Sequence, residues 1–192
     1  MPNNIRVMDG RINLSNSTLT EAEIECIPVF ETYFLTSLQK MYEAENQIAI
    51  AFNQIKDSVT SPELQKVFDN HYSIHEKHLQ RIEKIFKFLQ VEAKGVSCDA
   101  VNAILKEGQS YIRNMSGNTV NIEVALMLTS QKLTHYKIGA YAGLAYLAIR
   151  LSYTDAATFL AISVQEEEEY ADNKLRYVIE EFLSLIAKGK KQ

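Results

Sequence analysis

The chain has 192 residues, 46% of them hydrophobic, enough for one sizeable core and, on length, for one domain or at most two. Twenty basic against twenty-four acidic residues leave a net charge of −4, which speaks against a nucleic-acid partner, because such a protein needs surplus Lys and Arg to displace counterions. No run of about 18 apolar residues offers a membrane span, the N-terminus lacks signal-peptide architecture, and Cys26 and Cys98 stand far apart with no CxxC pair. The expectation is a cytoplasmic protein without a disulfide scaffold or a zinc knuckle.

Residues 1–19 are polar, rich in Asn and Ser, and read as an N-terminal arm. Thr20-Glu21-Ala22-Glu23 has capping-box spacing and opens a helix, which Pro28 is expected to kink or restart. Phe34, Leu38, Met41, Glu45, Ile48, Phe52 and Ile55 then follow in steps of three and four, a helix seam with a carboxylate in it. Ser61-Pro62-Glu63 starts a second long helix with an N-cap serine, a proline at the first helical position and an acid in the first turn. That helix carries Leu64, Phe68, His71, His75, His78, Ile82, Ile85 and Leu89 down one side and ends before Gly95. Ser97 can cap a shorter helix over about residues 98–115. Asn118 or Thr119 opens the next long one, with Ile122, Leu126, Thr129, Leu133, Tyr136, Ala140, Leu144 and Leu147 as its stripe. Thr154-Asp155 caps the last, where Leu160, Val164, Glu167, Ala171, Val178 and Phe182 recur at helical spacing, and residues 189–192 form a basic tail. Four long amphipathic helices bury their stripes best against one another, so the fold class is all-α, a four-helix bundle with an extra short helix in the crossover between its second and third long helices.

The informative residues break the apolar pattern. Glu45 lies on its helix's buried stripe, where an unpaired carboxylate costs several kcal/mol and asks for a metal, a cation or a proton. His71, His75 and His78 stand at i, i+4 and i+7, so they line one face, and the remaining histidine, His135, lies in the fourth helix. His75-Glu76-Lys77-His78 is not an HExxH zinc motif, because its histidines are three apart rather than four. Glu166 to Glu169, with Asp172, wrap around the last helix, so at least one of them faces inward. Inward carboxylates on the first and last long helices and histidines on the other two have the layout of a carboxylate-bridged dinuclear metal site, although the chain contains no Glu-x-x-His motif.

Several segments resemble the YciE/YciF family of ferritin-like bacterial stress proteins. Leu38 to Gln47, in which Tyr42 precedes Ala44-Glu45-Asn46-Gln47, is similar to the family's first-helix signature. Ser97-Cys98-Asp99-Ala100 followed by Ile104-Leu105-Lys106-Glu107-Gly108 resembles its short Cys-containing helix, Gln131 to Tyr141 its third bundle helix, and Ala156 to Asp172 its last. The resemblance covers roughly residues 30–180 and implies a ferritin-like bundle, a homodimer, a stress-related role and a dinuclear iron or manganese centre. By that resemblance Glu45, His71, His135, the glutamates near 167 and Asp172 are retained; Glu45, Glu167 and Glu168 would be the carboxylate ligands, His135 with His75 or His78, as substitutes for lost ligands, would supply nitrogen, and Asp172 would orient a neighbour. Tyr42, Tyr136 and Tyr141 would stand near such a centre. The family's other carboxylates fall near Ser73 and Ile74 and near Thr134 and Lys137, where this chain has none. A lysine there competes with metal for the remaining carboxylates. A second reading therefore stands beside the first: a metal-free dimeric bundle in which Lys137 neutralises Glu45 or a glutamate of the last helix and fixes helix register.

Overall fold

The computed structural model describes residues 21–114 and 119–189, so the polar arm, the cap residues Thr20 and Asn118, and the end of the tail lie outside the described residues. Its elements are α1 (Glu21–Ile55), a 3-10 turn (Lys56–Ser58), α2 (Pro62–Phe88), α3 (Asp99–Asn114), α4 (Thr119–Arg150) and α5 (Thr154–Tyr170). A π-helical turn (Ala171–Leu175) then leads directly into α6 (Arg176–Gly189). Among the described residues there is no strand. Membership of the all-α class follows, and no described helix is long and apolar enough to cross a membrane.

The helix starts follow local chemistry. The Ser61 hydroxyl accepts from the Leu64 amide at 3.3 Å with Pro62 at the first helical position, as its sequence predicts. Pro28 does not restart α1, which runs through it unbroken. A proline near the start of a 35-residue helix removes one internal bond, and the remaining turns are held by the buried Phe34, Leu38 and Met41. Thr154 stands at the first turn of α5, but the capping position is Tyr153, whose side chain makes no capping bond. Likewise the Ser97 hydroxyl bonds the side chains of Asp99 and Asn102. Both α2 and α4 stop with a residue in the left-handed region, Gln90 (φ 57°) and Ser152 (φ 58°), where glycine is usual. The amides that follow, Val91 and Tyr153, reach back to Phe86 and Ala148.

Core composition sets the direction of each helix. One apolar cluster joins Phe34, Leu38 and Met41 of α1 with Ile82, Ile85 and Phe86 of α2, Leu144 and Ala148 of α4, and Leu160 of α5. A second joins Leu64 and Phe68 at the start of α2 with Leu126 and Met127 at the start of α4 and Val178 of α6. Thus α1 and α5–α6 run from the first cluster toward the second, while α2 and α4 run the other way. Parallel α2 and α4 need a connection as long as the bundle. The crossover between them supplies it and folds in part as α3, which packs on α4 and α1 through Val101 and Leu105. Gly108 lets α3 and α4 approach closely, because a Cβ there would stand 2.5 Å from the Thr129 hydroxyl. Phe34, first residue of the α1 seam, is 1% exposed, covered by Tyr153 and the first cluster.

Candidate functional site

Between the two apolar clusters the bundle carries a layer of polar side chains, one or more from each long helix. Glu45 of α1, His71, His75 and His78 of α2, Lys137 and Tyr141 of α4, and Glu167 of α5 are all buried there. Lys137 Nζ stands 3.0 Å from Glu45 Oε1 and 2.6 Å from Glu167 Oε1, so one ammonium bridges the two carboxylates. Glu45 also receives the Tyr141 hydroxyl at 2.5 Å, His78 Nδ1 at 3.1 Å, and His75 Nδ1 in a short contact. His71 Nε2 lies 3.1 and 3.2 Å from the two oxygens of Glu167, and its ring stacks on Tyr170 with centroids 3.8 Å apart. His78 Nε2 faces outward to Glu166 at 3.2 Å, and Arg81 holds that carboxylate with two nitrogens at 2.6 and 2.9 Å.

The electrostatics follow from burial set against pairing. Burial pushes the Glu45 carboxyl up, but the Lys137 ammonium and the imidazoles of His75 and His78 overcome it and hold it well below the usual carboxylate range. The same opposition, with Lys137 and His71 as partners, keeps Glu167 ionised. Burial lowers His71 to about 4 against the pull of Glu167, and burial with Lys137 lowers His75, so these two rings are neutral near pH 7. Tyr141 is raised well above 10, by burial and then by the Glu45 charge, and it serves as a hydrogen-bond donor.

Of the residues read from sequence as ligands, the structure brings together Glu45, His75, His78 and Glu167. It does not bring in His135, Glu168 or Asp172, which lie on the outer faces of their helices, Asp172 facing Arg176 at 3.8 Å. Tyr42 and Tyr136 also lie apart, bonding Glu83 and Cys98 respectively. At the positions where the resemblance looks for further carboxylates, the Ser73 hydroxyl donates to the Asn70 carbonyl and Ile74 packs on Tyr170 and Leu175. Thr134 is buried with its hydroxyl unpartnered. Arg81 was not singled out by sequence reasoning, and Glu166 only as one of four successive glutamates, although the Arg81 charge sits within one turn of His78.

The set does not fit a dinuclear metal centre. Such a centre asks for about four carboxylates with histidines, whereas this layer buries two, Glu45 and Glu167, and the oxygens facing its middle are taken by an ammonium. Among the described residues no group of three His, Cys, Asp or Glu side chains is arranged to hold a metal ion.

Residues 29–186 match the family model described as Domain of unknown function (DUF892). The chain is 30% identical over 146 residues to Protein YciF of Escherichia coli (strain K12), covering 76% of this chain and 87% of that one. The crystal structure of the E. coli stress protein YciF superposes with a TM-score of 0.74 at 25% identity, over 81% of this chain and 97% of that one. YcfI of Rhodopseudomonas palustris, to which a structural role has been ascribed, superposes with a TM-score of 0.72 at 25% identity, over 85% and 98%. With its helix order, its crossover helix and these likenesses in agreement, the chain belongs to the DUF892 family, that of the stress protein YciF.

Proposed function

We infer that this protein is a structural or interaction member of its family, a cytoplasmic, stress-related homodimer that works through its surface. In it the Lys137 ammonium stands where an iron or manganese pair would meet its carboxylates. The observation that carries this reading is the position of Lys137 Nζ, 3.0 Å from Glu45 and 2.6 Å from Glu167. A divalent ion bridging those carboxylates must expel the ammonium from its partners while both remain in a dry interior, and an unpaired buried charge costs roughly 3–5 kcal/mol. The structural role ascribed to YcfI agrees with this reading. The dimer part rests on the outer face of α4. Gly139 and Gly143 are exposed there, a Cβ at either would meet no atom within 4 Å, and Tyr146 and Ile149 beyond them are 70% and 61% exposed. Glycine inside a helix costs about 1 kcal/mol relative to alanine, and close approach of a second chain is what would make use of it.

The test is metal content by mass spectrometry after anaerobic iron or manganese loading and desalting, on tag-free wild type and on Lys137→Glu. Wild type is expected to retain no stoichiometric metal, and the variant to retain it. Stoichiometric iron or manganese in the wild type overturns the reading and restores the dinuclear centre.

A further inference from the structure

Two exposed seams run side by side on the outside of the bundle. On α4, Lys132, His135, Gly139, Ala142, Tyr146 and Ile149 follow in steps of three and four, all exposed except the half-buried Ala142. On α5 and the turn after it, Thr158, Ala161, Gln165, Glu168 and Asp172 keep the same rhythm, and all are exposed. Such spacing holds each set on one edge of its helix. The neighbouring edges are taken: Tyr136 of α4 bonds Cys98 beside α3, while Phe159, Ser163 and Glu166 of α5 meet Lys84 and Arg81 of α2.

Charge says what covers the seams. The α4 seam holds Lys132 and His135 and no acid, since the one acid of that helix, Glu123, is buried against the start of α2. The α5 seam holds Glu168 and Asp172, and that helix contains no base. Within the chain these charges do not meet. His135 and Glu168 have no partner among the described residues, Lys132 Nζ turns to Glu107 of α3 at 2.7 Å, and Asp172 to Arg176 at 3.8 Å. The chain's own basic tail suits only the α5 seam and an acidic partner only the α4 seam, whereas a second copy offers each seam its opposite.

Levels along the bundle fix how two copies meet. Lys137 faces Glu167 and the two helices run antiparallel, so His135 is level with Glu168 and Glu169, Lys132 with Asp172, Gly139 with Gln165, and Tyr146 with Thr158. A two-fold axis parallel to the helices preserves these levels and lays α4 of one copy on α5 of the other. We propose that the α4–α5 face binds a second copy of this chain in that arrangement, with Lys132 and His135 of each copy set against Asp172 and Glu168 of the other. Gly139, Ala142 and Ala161 allow the backbones to approach, and Tyr146, otherwise 70% exposed, is covered over Thr158 and Ala161. The inference rests on the dimer reading above and adds the partner helix and the register.

Light scattering of size-fractionated full-length protein tests this with two charge-reversed variants, Lys132→Glu with His135→Glu, and Glu168→Lys with Asp172→Lys. All four positions are exposed, and circular dichroism checks that both variants stay helical. Wild type is expected at twice the chain mass, and each variant alone at the chain mass, its dimer weakened about tenfold or more by like charges. Mixing the two variants is expected to restore the dimer, because every reversed seam then meets its complement. A wild-type dimer that both reversals leave intact, or a mixture that stays monomeric, overturns this face and register while the dimer reading stands. A wild type at the chain mass overturns the dimer reading with it, whether the chain's own tail or nothing covers the seams.

Discussion

The apolar layers and the polar layer of this bundle are built from the same four long helices, yet they specify the fold differently. In the first apolar cluster Leu38, Ile82, Leu144 and Leu160 touch many neighbours without direction, so a swap of similar volume leaves most of the contact in place. In the polar layer each side chain has a named partner on another helix: Lys137 meets Glu45 and Glu167, Tyr141 meets Glu45, and His71 meets Glu167. Sliding one helix by a turn would keep oil against oil in the apolar layers but would strand a charge in the polar one. The apolar layers thus supply most of the stability, and the polar layer selects the register.

The sharpest way to break that comparison is Lys137→Met. It leaves two buried carboxylates without their shared cation, and we expect a loss of roughly 3–5 kcal/mol in urea-monitored unfolding. The triple variant with Glu45→Gln and Glu167→Gln should recover much of it. Leu144→Ala, which empties part of the apolar layer, should lose about 2–5 kcal/mol, with no partner substitution of this kind to restore it.

Acidification should single out the polar layer. His71 titrates near 6.5 in the unfolded chain and at about 4 in the folded one, because burial disfavours its charged form. The unfolded chain therefore binds more protons between those pH values, and stability should fall as pH drops through the window, by roughly 3 kcal/mol. Below about pH 4.5 the depressed carboxyls of Glu45 and Glu167 add to the loss, since their contribution is complete only above the unfolded carboxyl value. Denaturant midpoints measured from pH 7 to 4 check this, and a flat profile would contradict the neutral His71.

Two glycines of the same chain give smaller and opposite effects. Gly108→Ala pushes a methyl against Thr129 and should cost about 1–3 kcal/mol by separating α3 from α4. Gly139→Ala meets nothing within the protomer, so the isolated chain should gain up to about 1 kcal/mol. If α4 forms the dimer face, the same substitution should weaken the dimer in light scattering. An unchanged dimer would move the interface elsewhere.

The helices, their order and the crossover helix were legible because the chain has few breakers and its stripes are regular. Glu45 and His71, His75 and His78 stood on those stripes, and Glu167 was picked out of four successive glutamates by its spacing from Leu160 and Val164. The stripe of α4 was read too narrowly: Leu126, Leu133 and Leu144 are buried as expected, but a second buried line was missed. That line runs through Thr134, Lys137 and Tyr141, because α3 and α5 cover the helix from two sides and a wide buried face blurs periodicity. His135 consequently points out. The stops of α2 and α4 escaped notice because Gln90 and Ser152 take the conformation for which a glycine would have been the signal. The π turn at Ala171–Leu175 has no Pro or Gly to announce it, and Asp172, at its start, faces solvent.

Glu123 of α4 has a consequence for how the chain assembles in time. Its carboxylate accepts from the amides of Thr60 and Ser61, 63 and 62 residues earlier, at the point where α2 begins. During synthesis the α1–α2 pair emerges long before that carboxylate and before Lys137. Until then the hairpin exposes the Thr60 and Ser61 amides ahead of its second helix and a carboxylate seam with no lysine. The first half of the chain cannot satisfy these groups by itself, and the α1–α2 hairpin completes its polar contacts only once α4 is in place.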